Sequence, residues 1–108
     1  MKELSKTEET LLLAIWRLKD DAYGVKIRQH VSVVIKKEFT YGNLYSVLDQ
    51  LTKKRYVTKT LGELTPERRG RRKIYYSVTS DGLIALKSAR EMHDLMWADI
   101  PKEAFEIK

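Results

Sequence analysis

Residues 56–78 read YVTKTLGELTPERRGRRKIYYSV. The stretch opens on Tyr56-Val57-Thr58-Lys59-Thr60-Leu61 and closes on Lys73-Ile74-Tyr75-Tyr76-Ser77-Val78. Both runs are rich in β-branched and aromatic residues, which predicts two strands. Gly62, Pro66 and Gly70 punctuate the charged segment between them and mark a long hairpin loop. Arg68, Arg69, Arg71 and Arg72 flank Gly70, the residue that lets the tip turn.

Upstream, Thr40 suits the N-cap of a helix over about Tyr41 to Lys54. Leu44, Val47, Leu48 and Leu51 fall at i, i+3, i+4 and i+7, which makes one buried stripe. The opposite face carries Tyr41, Asn43, Ser46, Asp49 and Gln50, with Tyr45 at the boundary. Lys53 and Lys54 stand where the helix dipole favours cations. A short polar link, Lys36 to Phe39, separates this helix from one over about Tyr23 to Val33, with Ile27, Val31 and Val34 inward. Gly24 near its start is a poor helix former and marks close packing. The first helix, about Lys6 to Lys19, follows a capping-box spacing, Ser5 and Glu8. Leu11 to Trp16 and Leu18 cover nearly its whole circumference, so it should be enclosed on several sides, in a core or between subunits. Downstream, Thr79 caps a last helix over about Ser80 to Asp99, stopped by Pro101.

The order is helix, helix, helix, strand, basic loop, strand, helix. It predicts a mainly α chain with a small β-hairpin: a winged helix-turn-helix over 1–79, followed by a C-terminal dimerisation helix and tail over 80–108. One domain is also what 108 residues allow. The hydrophobic fraction, 43%, is enough for a core and argues against global disorder. The net charge of +6 is unevenly placed: residues 53–73 hold nine basic and two acidic side chains, so the rest of the chain is near neutral. A neutral body with one basic stretch points to a polyanion, for which nucleic acid is the commonest partner. A solvated, solubilising loop is the bland reading of the same charges.

In a winged helix-turn-helix the third helix enters the major groove, where base edges carry a distinguishable code. Its exposed early face must be polar and compact, which suits Thr40, Tyr41, Asn43, Tyr45 and Ser46. Arginine suits the wing, because guanidinium pairs with phosphate and enters a narrow minor groove. Lys53, Lys54, Arg68, Arg69, Arg71, Arg72 and Lys73 form the expected basic flank.

Three segments together resemble PadR-type transcriptional regulators: LLLAIWRLKDDAYGVKIRQHV, TYGNLYSVLDQLTKKRYV and GELTPERRGRRKIYYSVT. The resemblance spans about residues 4–87 and rests on Tyr-Gly opening helix two, Leu-Tyr-x-x-Leu in helix three and Gly-Arg-Arg-Lys-x-Tyr-Tyr in the wing. Arg55 departs from it, since the family commonly has glycine before the strand, and the chain after Lys87 carries little signature. The resemblance implies a homodimer on a palindromic double-stranded DNA operator, repressor activity, and release of some members by small aromatic or hydrophobic effectors. It also implies dimerisation through the last helix packed on the partner's first helix. Leu12, Leu86, Ala89, His93, Met96 and Ile100 are the expected interface, and Trp16, Met92, Met96 and Trp97 the expected effector pocket. A Met and Trp stripe is equally the composition of plain interface core.

Other functions find little support. There are no cysteines, so disulfide scaffolds, thiolate metal sites and cysteine nucleophiles are excluded. His30 and His93 are far apart, and Ser5 and Ser46 lack a partner base, so neither metal nor catalytic residues nor a cofactor are expected. The longest uncharged apolar run, Leu11 to Trp16, is far short of the ~20 residues a bilayer requires. The N-terminus lacks a signal-peptide core, and a cytoplasmic protein is expected. The alternative to DNA reading is a winged-helix module that binds protein; it would tolerate a neutral wing, against which the four arginines stand.

Overall fold

The computed structural model describes residues 3–63 and 72–106. Its elements are α1 (Lys6–Leu18), α2 (Gly24–Ile35), α3 (Tyr41–Lys53), β1 (Val57–Leu61), β2 (Ile74–Val78) and α4 (Ser80–Trp97). Short 3-10 turns at Lys19–Asp21 and Lys102–Phe105 follow α1 and α4. This is the winged helix-turn-helix that the element order predicts. The strands pair antiparallel with Val57 opposite Val78 and Leu61 opposite Ile74. A single bridge from Tyr23 to Tyr75 extends the sheet towards the start of α2.

The start of α1 is fastened at both polar ends. The Ser5 hydroxyl accepts from the Glu8 amide at 3.1 Å, and the Ser5 amide donates to Glu8 Oε1 at 2.8 Å. Glu8 is only 2% exposed. A lone carboxylate there would be strongly disfavoured. Lys54, one residue beyond α3, supplies the missing charge, with Nζ at 2.7 Å from Oε2 and 2.8 Å from Oε1. The same Nζ donates to the Glu3 carbonyl oxygen at 3.1 Å. Burial alone would raise the Glu8 pKa; the Lys54 ammonium and the Ser5 donors outweigh it and hold the carboxyl below its usual range.

The core gathers Leu11, Leu12, Ala14 and Ile15 of α1, Ile27 and Val31 of α2, the Leu44, Val47, Leu48 and Leu51 stripe of α3, and Tyr76 of β2. Leu13 and Trp16 of α1 are exposed in the single chain. Two expectations need adjusting. Val34 is 61% exposed and lies outside the core, on the wall of an open groove that α2 forms with Thr10, Leu13 and Arg17 of α1. Phe39, in the expected polar link, is buried and anchors the turn between α2 and α3.

Gly24 does mark close packing: a Cβ there would stand 2.1 Å from the Tyr45 hydroxyl, which fixes the spacing of α2 and α3. Arg55 occupies the left-handed region, φ 64°, between Lys54 and the first strand. That backbone favours glycine, so the departure at Arg55 is a substitution into a strained turn. The turn is closed by Tyr56 N–H to the Leu51 carbonyl at 3.0 Å and by the Thr79 hydroxyl to the Arg55 carbonyl at 2.7 Å.

Because the folded Glu8 pKa lies below the unfolded one, its stabilisation is complete above the unfolded value and fades as pH falls through the folded value. In thermal melts at neutral pH, Lys54→Ala should lower stability by about 3 kcal/mol, since it strands a buried carboxylate. That deficit should shrink on acidification, as protonation of Glu8 removes the charge that Lys54 balances. A pH-independent deficit would show that the pair contributes nothing through its charge.

Candidate nucleic-acid interface

The exposed face of α3 is built by its capping and its stripe together. The Thr40 hydroxyl accepts from the Asn43 amide at 3.1 Å, which starts the helix there. Burial of Leu44, Val47, Leu48 and Leu51 then turns Tyr41, Gly42, Asn43, Tyr45, Ser46, Asp49 and Gln50 outward. The Tyr41 and Tyr45 rings stack at 6.4 Å between centroids, 24° from parallel. Gly42 stands in open space, with no atom within 4 Å of where its Cβ would be. Among the described residues no packing calls for a glycine there, and the bare backbone permits another molecule to come close.

The hairpin is tied to this helix from below. Tyr76 of β2 is buried, and burial, with Tyr45 and Asp49 nearby, pushes its pKa up to about 12. Lys59 of β1 pairs with Asp49 of α3 at 3.4 Å. Lys73 lies over the Tyr23 ring at 4.2 Å, and Tyr23 meets Tyr75 edge-on at 5.5 Å. Gly62 N–H donates to the Lys73 carbonyl at 2.7 Å, closing the strands at the base of the loop.

The expected basic flank divides into three groups. Arg72 and Lys53 are exposed, and Lys73 is half-buried against Tyr23. Lys54 is engaged with Glu8 and is structural. Arg68, Arg69 and Arg71 lie outside the described residues. Two further cations join the surface. Lys59, one of the basic residues of the 53–73 stretch, stands on β1 beside Asp49. Arg28 of α2 lies against Tyr41, which its α2 position gave no reason to expect.

The residues expected at an interface and in a pocket are only partly gathered. In α4 Gly82 and Ala85 are buried and Leu86 and Ala89 half-buried, while Met92, His93, Met96, Trp97 and Ile100 are exposed. Leu12 is 0% exposed in its own core, so it offers no surface to a partner. A groove of about 490 Å³ runs between the α1 N-terminus and α4, with Met92, His93, Met96 and Trp97 on one wall and Glu3, Lys6 and Glu9 on the other. Trp16 does not line it; Lys19 covers the Trp16 ring at 3.4 Å. Phe105 stacks on Trp97 at 5.4 Å. Among the described residues no cluster of three or more His, Asp or Glu could hold a metal, and no helix is long and apolar enough to cross a membrane.

If this face meets DNA, removal of a phosphate-bound cation should reduce the slope of log affinity against log salt by ~0.9. Arg72→Ala and Lys53→Ala should each do so with unchanged melting temperatures. Lys54→Ala should melt earlier and keep the slope. A Lys54→Ala slope change matching that of Arg72→Ala would place Lys54 on phosphate after all.

The sequence profile of the transcriptional regulator PadR-like family matches residues 12–88. No curated protein matches the chain. Among solved structures, a PadR-like transcription factor from B. fragilis superposes with a TM-score of 0.72 at 21% identity, over 83% of this chain and 82% of that one. A transcriptional regulator from Clostridium thermocellum gives 0.70 at 23% identity, over 83% and 84%. F93 from STIV, a winged-helix DNA-binding protein, gives 0.68 at 14% identity, over 93% and 100%. At these identities the structural likeness is one of fold.

Proposed function

The chain belongs to the PadR-like family of transcriptional regulators, and we propose that it works as a homodimer that reads a palindromic double-stranded DNA operator and represses from it. The observation that carries this reading is the outer face of α3. Thr40, Tyr41, Asn43, Tyr45 and Ser46 stand exposed on a helix whose other side is fully committed to the core. They present the hydrogen-bonding groups that base edges require. Arg72, exposed at the base of the wing, is the residue we assign to a phosphate, and Arg68, Arg69 and Arg71, which lie outside the described residues, are assigned the same role from the sequence. F93, which shares the fold, is described as DNA-binding, and this supports the reading.

Dimerisation follows from what α4 leaves uncovered. Leu95 and Met96 are 77% and 75% exposed, and Trp97 and Ile100 add to the same end. Leu86, Ala89, His93, Met96 and Ile100 are the surface we assign to the partner, which would set two α3 helices about one DNA turn (~34 Å) apart. Met92, Met96 and Trp97 in the groove are the residues we assign to an aromatic effector. A DNA-bound regulator of this kind acts in the cytoplasm, beside its genes.

Selection of bound fragments from random DNA tests the central reading. A two-fold symmetric motif is expected; absence of any enriched motif overturns sequence-specific binding, and an asymmetric one overturns the dimer. Repeating the selection with Asn43→Ala should relax one position in each half-site by about 1–3 kcal/mol. For the effector, titration with planar aromatics should change Trp97 fluorescence saturably, and a Trp97→Phe variant should lose that change. A signal carried by Trp16 alone would remove the groove from the proposal.

A further inference from the structure

One cation next to the α3 face is held by two contacts of its own, within a ring of four residues. Arg28 lies on α2, one helical turn after Gly24, and is half-buried. Its Nε–H donates to the carbonyl oxygen of Phe39, the buried residue that anchors the α2–α3 turn. Its guanidinium carbon stands 4.7 Å from the centroid of the Tyr41 ring. Tyr41 stacks on Tyr45, and the Tyr45 hydroxyl is in turn packed over Gly24. Gly24 and Arg28 are four apart on α2, as Tyr41 and Tyr45 are on α3, so the four residues close a ring between the two helices.

A guanidinium carries five N–H donors, and Phe39 occupies one. Among the described residues no carboxylate pairs with Arg28. Its two terminal amino groups are therefore left to an acceptor from outside, with the guanidinium held by the Phe39 carbonyl at Nε and by the Tyr41 ring beside it. A planar fork of that kind matches two oxygens of one phosphate, and an ammonium would not.

We propose that Arg28 is a DNA-contacting residue outside α3: its terminal amino groups bind one backbone phosphate at the entrance of α3, while its guanidinium, beside the Tyr41 ring, holds that ring against Tyr45. The proposal rests on the DNA reading above and extends it to α2. Arg28 thereby couples the register of the protein on the phosphate backbone to the orientation of two tyrosines that face the bases. Arg28 is a contact residue for phosphate and a positioning residue for Tyr41.

The test uses the full chain and the selected operator fragment, with affinity measured over a salt series. Arg28→Ala should bind at least tenfold more weakly, with a slope reduced by ~0.9. Arg28→Lys should keep the wild-type slope and still lose about tenfold on the operator, because an ammonium cannot fork onto phosphate while an Nε–H holds the Phe39 carbonyl. Replacing operator phosphates one at a time by neutral methylphosphonate should reveal a position that weakens the wild type and leaves Arg28→Ala unaffected. If Arg28→Ala does not fold, Arg28→Gln, which keeps an N–H donor for the Phe39 carbonyl, takes its place in both measurements. Wild-type slope and affinity in the folded neutral variant, or the same methylphosphonate profile in both proteins, would overturn the role of Arg28 with DNA binding intact. A wild-type chain that binds no DNA would overturn the DNA reading itself, and Arg28 with it.

Discussion

A carboxylate shut away from water holds the domain in register. Glu8 closes the first turn of α1 through Ser5 and meets Lys54 just past α3. The pair thus joins the first element of the fold to the end of the third, some 46 residues later. Hydrophobic burial would hold α1 and α3 together without it, but burial is non-directional and tolerates sliding. A charge pair under 3 Å does not. Its place on the far end of α3 from Tyr41 and Asn43 means that the exposed face is aimed from behind.

The second constraint is the coupling of helix and hairpin. Tyr76 sits in the core near Tyr45 and Asp49, and Lys59 pairs with Asp49, so β1 and β2 are both referenced to α3. Neither the exposed ion pair nor the strand pairing contributes much alone. Together with the Tyr23 to Tyr75 bridge they give the base of the wing one position relative to the helix, which is what two-point contact with a duplex requires.

Most of the fold was readable because its signals are local. The Ser5 to Glu8 spacing, the Thr40 cap and the i, i+3, i+4, i+7 stripe of α3 each decide a helix within four to eight residues. What stayed hidden depends on partners distant in the chain. Nothing near Lys54 in sequence announces Glu8, so it counted among the cations of a basic stretch when it belongs to the core. Leu12 and Leu13 look alike as letters, yet one is buried and the other exposed, because a short all-apolar run does not say which side faces in. Phe39 and Arg28 were missed for the same reason: their roles arise from a contact eleven residues apart across a turn. The exposed polar face of α3 was legible, since it is simply the complement of the stripe. The pocket residues were grouped by composition, which cannot tell that Trp16 and Trp97 stand in different places.

The core makes its last contacts with Ala85 and Leu86, and every described residue from Arg90 onward is exposed. Truncation on the two sides of Leu86 therefore differs in kind: upstream of it core contacts are lost, and beyond it only exposed surface of α4 and the half-buried Ala89 are.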